Sequence, residues 1–191
     1  LLSQVDKPIV QVKGWVDLCL RERGKIVPGS RRHGHNIWTN TGREYLAMLI
    51  SLQSVMTPFR TDSVAYIGVG TGVTQPEDAG VLALQNPIPY APALYLASLD
   101  IPPTFPLNPS RTTVRFHRVF SESEITLTPG SKVLVSELGL FTNGDPNSSY
   151  TPGTRHTEFS VAGAQAPVAY KTFEPIGKTD ALELEVAWEI R

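Results

Sequence analysis

Leu182-Glu183-Leu184-Glu185-Val186-Ala187-Trp188-Glu189-Ile190 decides the fold. Leu182, Leu184, Val186, Trp188 and Ile190 fall on one side of an extended segment and Glu183, Glu185 and Glu189 on the other, because successive strand side chains point to opposite faces. Upstream, the same reading gives strands at Thr112–Phe120, Lys132–Phe141, Arg155–Val161 and Pro167–Glu174, separated by Gly, Pro, Asn and Ser clusters. Near the start, Val10, Val12, Val16, Leu18 and Leu20 alternate with Gln11, Lys13, Asp17 and Arg21, another half-buried strand. Arg21 to Lys25 reads as a polar hairpin turn returning through Ile26 and Val27. A short apolar strand at Val64–Val69 runs into Gly68-Val69-Gly70-Thr71-Gly72.

One helix interrupts the strands. Thr41-Gly42-Arg43-Glu44 has the T-x-x-E spacing of a capping box, and Tyr45, Met48, Leu49 and Leu52 recur at helical spacing, so helix is expected from about Gly42 to Gln53. Gln75-Pro76-Glu77-Asp78 predicts a brief helical turn through Leu82 and Leu84. From Asn86 to Pro109 the prolines Pro87, Pro89, Pro92, Pro102, Pro103, Pro106 and Pro109 remove ladder donors and block helix. That stretch reads as an extended arm without regular structure, and so long a loop in a compact domain suggests a contact surface. The expectation is one mainly β domain over residues 1–191, a β-sandwich or jelly-roll-like fold with a single α-helix over about 42–53 and a proline-rich arm over 86–109.

At 191 residues the chain is long enough to bury roughly 70% of its unfolded surface. Charged residues are 18%, against about 25% in an average domain, which suits a protein that hides surface against partners. A formal net charge of -1 argues for neither nucleic acid nor an anionic membrane as partner. Cys19 is the only cysteine, so it forms no internal disulfide and no multi-thiolate metal site, as suits a reducing cytoplasm. No apolar run reaches the roughly 20 residues of a membrane span, and Leu1–Pro8 lacks the pattern of a signal peptide. The chain is therefore expected to be soluble and unexported, and its opening on Leu1 suggests a leading segment removed or missing.

The chemistry-bearing residues give bland readings beside the sharp ones. Gly68-x-Gly70-x-Gly72 lacks the third glycine spacing of a dinucleotide loop and the Lys of a P-loop, so it is read as a tight turn at a strand end. His33 and His35 share a strand face but have no third ligand at a recognisable spacing, and His117 and His156 are isolated. Cys19 has no activating motif, and Glu122 with Glu124 are read as solvated or interfacial acids on a strand face. Neither a catalytic residue, a cofactor site nor a metal site is expected. The basic group Arg21, Arg23, Lys25, Arg31 and Arg32 is the most asymmetric charge feature; it is read as a solvated hairpin or as the mate of an acidic patch on a neighbouring subunit. Arg21, Arg23, Arg31 and Arg32, with Pro89, Pro92, Pro102, Pro103 and Pro106 of the arm, are the expected partner-binding residues.

Asn36-x-x-Thr39-Asn40-x-Gly42-Arg43-x-x-Leu46-Ala47-x-Leu49 is one of three segments that stand out; the others are Tyr66-Ile67-Gly68-Val69-Gly70-Thr71-Gly72, followed by Leu82 and Leu84, and Val135-Ser136-Glu137-Leu138-Gly139-Leu140-Phe141 with Phe173-Glu174-Pro175-Ile176-Gly177-Lys178 and the closing strand. Together they resemble a family of tailed-bacteriophage virion structural proteins. The proline-rich stretch departs from the family pattern. The resemblance implies a β-sandwich part of the virion, assembled in the host cytoplasm, that binds major capsid protein or other virion subunits as a homo-oligomer, with a trimer favoured. It further implies no enzyme activity, cofactor, nucleic acid or membrane partner. A capsid decoration or cement protein is the first expectation, and a tail, baseplate or fibre-attachment protein the second. A carbohydrate-binding module is the third, for which Trp15 and Trp38 are the candidate aromatics.

Overall fold

A computed structural model of the chain describes residues 13–51, 64–73, 76–90, 93–94, 96–98, 113–122, 124–125, 130–142, 155–156 and 166–191. In chain order these form β1 (Gly14–Glu22), β2 (Lys25–Ile26), β3 (Arg32–Trp38), α1 (Asn40–Ser51), β4 (Val64–Gly70), β5 (Pro89–Tyr90), β6 (Ala93–Leu94), β7 (Leu96–Ser98), β8 (Val114–Phe120), β9 (Lys132–Thr142), β10 (Arg155–His156), β11 (Ala169–Thr179) and β12 (Glu183–Ile190). Strands make up 58% of the described residues, so the fold is mainly β with one small helix. The strand order β10-β7-β4-β9-β11-β3-β1-β12-β8, with β2 beside β1, makes one antiparallel sheet of ten strands nearly closed into a barrel. β5 and β6 form a separate two-stranded pair.

The alternation carried by the sequence sets the interior. On β1, Val16, Leu18 and Leu20 are buried, and on β12 Leu184, Val186 and Trp188 are wholly so, while Asp17, Arg21, Glu183, Glu185 and Glu189 face outward. They join Phe116 and Phe120 of β8, Ile67 and Val69 of β4, and Val135, Leu138 and Leu140 of β9 in one apolar cluster. Burial at about 25 cal/mol per Å² of apolar surface makes this cluster the main source of stability. Val10 and Val12 lie outside the described residues.

β3 turns the corner of the sheet. Its first half, Arg32 to Asn36, pairs with β1, and only Ile37 and Trp38 pair with β11. Where β3 and β11 separate, side chains replace the missing ladder. Glu77 Oε1 accepts the backbone N–H of Thr172 at 2.7 Å, and Arg32 Nε donates to the carbonyl of Glu174 at 3.3 Å. β11 itself shifts register between Thr172 and Ile176, across Pro175, which has no N–H to offer the ladder. The expected strand end at Glu174 is therefore a bulge, and the strand resumes to Thr179.

Four other expectations change. The helix runs Asn40–Ser51, and its cap is Thr39: Thr39 Oγ1 accepts the N–H of Gly42 at 3.1 Å, and the N–H of Arg43 bonds the Thr39 carbonyl. Thr41 thus sits inside the first turn, and Glu44 is two residues too late for a box that starts at Thr39, where Gly42 holds the acid's place. Residues 52–53, and the side chains of Tyr45, Met48 and Leu49, lie outside the described part. No helical turn forms at Pro76–Leu84, because Asp78 Oδ1 accepts the N–H of Gly80 at 2.7 Å and the Glu77 carboxylate is taken by β11. The proline-rich stretch is not devoid of regular structure, since it contributes β5, β6 and β7, and β7 is a strand of the main sheet paired with β4. Finally, Glu122 and Glu124 lie in the turn after β8, not on a strand face. Of the strand expected at Arg155–Val161, only Arg155–His156 lies within the described residues.

Candidate functional site

The glycine-rich segment is explained by one buried carboxylate. Glu137 on β9 has no exposed surface, and Gly70 of β4 stands opposite it in the ladder. Its Oε1 accepts the N–H groups of Gly72 at 3.0 Å and Asn86 at 2.7 Å, and its Oε2 accepts the N–H of Gln85 at 2.9 Å and the Tyr170 hydroxyl at 2.8 Å. Backbone donors converging on an anion are what a phosphate loop offers, and here the anion is the protein's own side chain. A Cβ on Gly70 would stand 2.2 Å from Glu137 Oε1, and one on Gly72 2.7 Å. Gly68 and Gly70 belong to β4, and Gly72 lies just beyond its end in residues 71–73, which form no turn, so the expected tight turn is replaced by a strand end packed on Glu137.

Glu137 closes the base of the loop between β4 and β5, of which residues 71–73 and 76–88 are described. The loop is pinched at its base by the bond from Thr71 N–H to the Asn86 carbonyl, 2.8 Å, and fixed at its far side by Glu77. Glu77 Oε1 bonds Lys171 Nζ at 2.6 Å and Thr172 Oγ1 at 2.9 Å. The Ala79 carbonyl accepts the N–H of Asn40 at the helix start, 2.7 Å. So clamped, the loop presents Val73 and Leu82 to solvent, 64% and 69% exposed. Burial pushes the Tyr170 hydroxyl up, with the charge of Glu137 adding to it, so the phenol stays a donor.

The expected partner-binding arginines are mostly engaged within the chain. Arg21 pairs with Glu185, Arg31 grips Asp17 with two nitrogens, and Arg32 bonds the carbonyls of Gly29 and Glu174 and approaches the Glu174 carboxylate at 3.6 Å. Arg23 occupies the hairpin turn, exposed, at φ 48°. Arg21 therefore meets the acidic stripe of β12 inside one subunit. Pro89 is in β5, and Pro92, Pro102, Pro103 and Pro106 lie outside the described residues.

Of the histidines, His117 lies 3.1 Å from Glu185, His33 stacks on Trp15 with ring centroids 5.0 Å apart, and His35 meets the same indole tilted by 38° at 3.6 Å. Burial lifts the Glu185 carboxyl, and hydrogen bonds from His117 and Arg21 more than offset this and hold it low. The Cys19 thiol is pushed up by its own burial and then by the charge of Glu185, which keeps it protonated. Glu124 is 2.6 Å from the buried guanidinium of Arg118 and accepts the N–H of Ser121. Among the described residues no group of three or more His, Cys, Asp or Glu is placed to hold a metal ion, and no helix is long and apolar enough to cross a membrane.

The described residues define an antiparallel β sheet that encloses the Glu137 carboxylate. No family model, curated protein or solved structure matches the chain.

Proposed function

We propose that the chain is a non-enzymatic structural part of a tailed-bacteriophage virion, and most directly a capsid decoration protein that binds and stabilises the shell of major capsid subunits. What supports the reading is the meeting of the resembling segments around one point. Tyr66–Gly70 of the second segment pairs with Glu137–Phe141 of the third, Glu137 holds Gly72 at the end of the second, and Phe173–Lys178 lies on the strand beside them. The capping Thr39 of the remaining segment bonds the Val168 carbonyl just before that strand. Motifs that are weak singly thus build one junction.

In this reading the bent sheet works as a sandwich-type module, with β3-β1-β12-β8 as one layer and β7-β4-β9-β11 as the other. The docking surface is the clamped loop with Val73 and Leu82, since exposed aliphatic side chains on a preorganised backbone lose little freedom when a neighbouring virion subunit covers them. A trimer is the favoured unit.

Imaging of purified particles tests the proposal. Many copies spread over the head support decoration; a few copies at one vertex or on the tail select the tail, baseplate or fibre-attachment reading; and absence from the particle overturns both.

A further inference from the structure

We propose that the outer face of the β3-β1-β12-β8 layer carries a shallow binding site for a neutral glycan, centred on Ala187. The ladder places His35, Trp15, Glu189 and Arg115 in one row across the four strands, and His33, Asp17, Ala187 and His117 in the next. Ala187 is the smallest side chain in either row. Above it lies a hollow of about 320 Å³ walled by Trp15, Asp17, His33, Arg115, Glu189 and Arg191. That is at the small end of ligand sites, suited to a sugar unit and not to a protein segment.

Trp15, Asp17 and Glu189 are held before any ligand arrives. Trp15 is stacked against His33 and in tilted contact with His35, Asp17 is gripped by two nitrogens of Arg31, and Glu189 is bonded by Arg191 at 3.0 Å. Arg115 has no ion-pair partner among the described residues and is exposed on β8. A site built on strands and held by neighbouring side chains binds with little reorganisation.

The chemistry selects the ligand class. Two carboxylates and two guanidiniums around an alanine floor nearly cancel, so the hollow does not recruit an ion by its field. It offers fixed acceptors beside fixed donors, next to the apolar indole. A pyranose carries the complement: hydroxyls around its rim that donate and accept together, and a C–H face that packs on an aromatic wall. This site is separate from the loop that carries Val73 and Leu82, so its fate does not decide the assembly role.

A panel of neutral and acidic oligosaccharides, screened by array and followed by backbone NMR titration of the intact chain, tests the site. Neutral glycans are expected to shift the resonances of Trp15, Arg115 and Ala187. Ala187→Leu, which fills the hollow from an outward position, and Arg115→Ala are each expected to weaken binding at least tenfold while leaving the unfolding midpoint unchanged. The proposal is overturned if no neutral glycan binds, if only acidic glycans or inorganic phosphate do, or if binding survives Ala187→Leu.

Discussion

Glu137 shows how much one side chain organises. Its carboxylate satisfies three backbone donors and a phenol in a place without water contact, so Glu137→Ala strands those donors and is expected to cost about 3 kcal/mol or more in urea unfolding. Gly70→Ala pushes a methyl group into the same carboxylate, and a loss of about 1–3 kcal/mol is expected in the same measurement. The sequence displayed both halves of this device, three spaced glycines and an acid inside an apolar strand. It did not show that they meet, because that depends on the pairing of β4 with β9. Lys178 gives a pH signature. Burial holds its ammonium down to about 8 from the ordinary 10.5, opposed by nearby acids, and its Nζ bonds the carbonyls of Glu122 and Thr179. Below pH 8 it is charged whether the chain is folded or not, and the full burial penalty applies. Between about pH 8 and 10.5 the unfolded chain binds more protons, so stability rises with pH, by about 3 kcal/mol at most. Tyr170 opposes this at the top of the window: its raised hydroxyl adds stability below the ordinary phenol range that is lost as pH climbs through its folded value. A pH series of unfolding curves should show the rise in the natural chain and lose it in Lys178→Met.

The helix start is where local signals and tertiary contacts competed. Thr39 and Thr41 both precede a helical pattern, and the local signal, Glu44 three residues after Thr41, favours Thr41. Thr39 wins because its hydroxyl also bonds the carbonyls of Pro167 and Val168, which the sequence could not bring to it. Thr39→Ala should therefore cost about 1–2 kcal/mol in thermal or urea unfolding, and Thr41→Ala much less. The β1–β2 hairpin was legible throughout, since its polar tip needs no distant partner. There Arg23 and Gly24 take φ of 48° and 78°, the pairing of a type I′ turn. Arg23→Asn suits that backbone better and should raise the unfolding midpoint, by about 0.5 kcal/mol of stability. The brief helix expected near Pro76 failed for the opposite reason to the hairpin's success: Glu77 had a use on β11 that its neighbours in sequence did not reveal.

Alternation in β1, β8, β9 and β12 made the mainly β character readable, and the same pattern fits strands in two sheets or in one bent sheet. What chose the bent sheet is β3, whose two halves serve different neighbours. The proline-rich stretch misled because prolines at its root exclude helix without excluding short strands. Removing residues 86–109 takes away the Asn86 donor to Glu137 and the β7 partner of β4, so loss of the cooperative melt followed by circular dichroism is expected. The contact role is tested without that damage by Val73→Asp with Leu82→Asp, which should abolish incorporation into particles at an unchanged melting temperature. Lys13 and Arg191 exchange both backbone hydrogen bonds, at 3.0 and 2.8 Å, beside the first pair of the β1–β12 ladder. Tension applied through these two points opens that ladder bond by bond like a zip and never shears it as a whole. A force probe attached there will record low resistance, and any load the domain sustains must enter through its flanks.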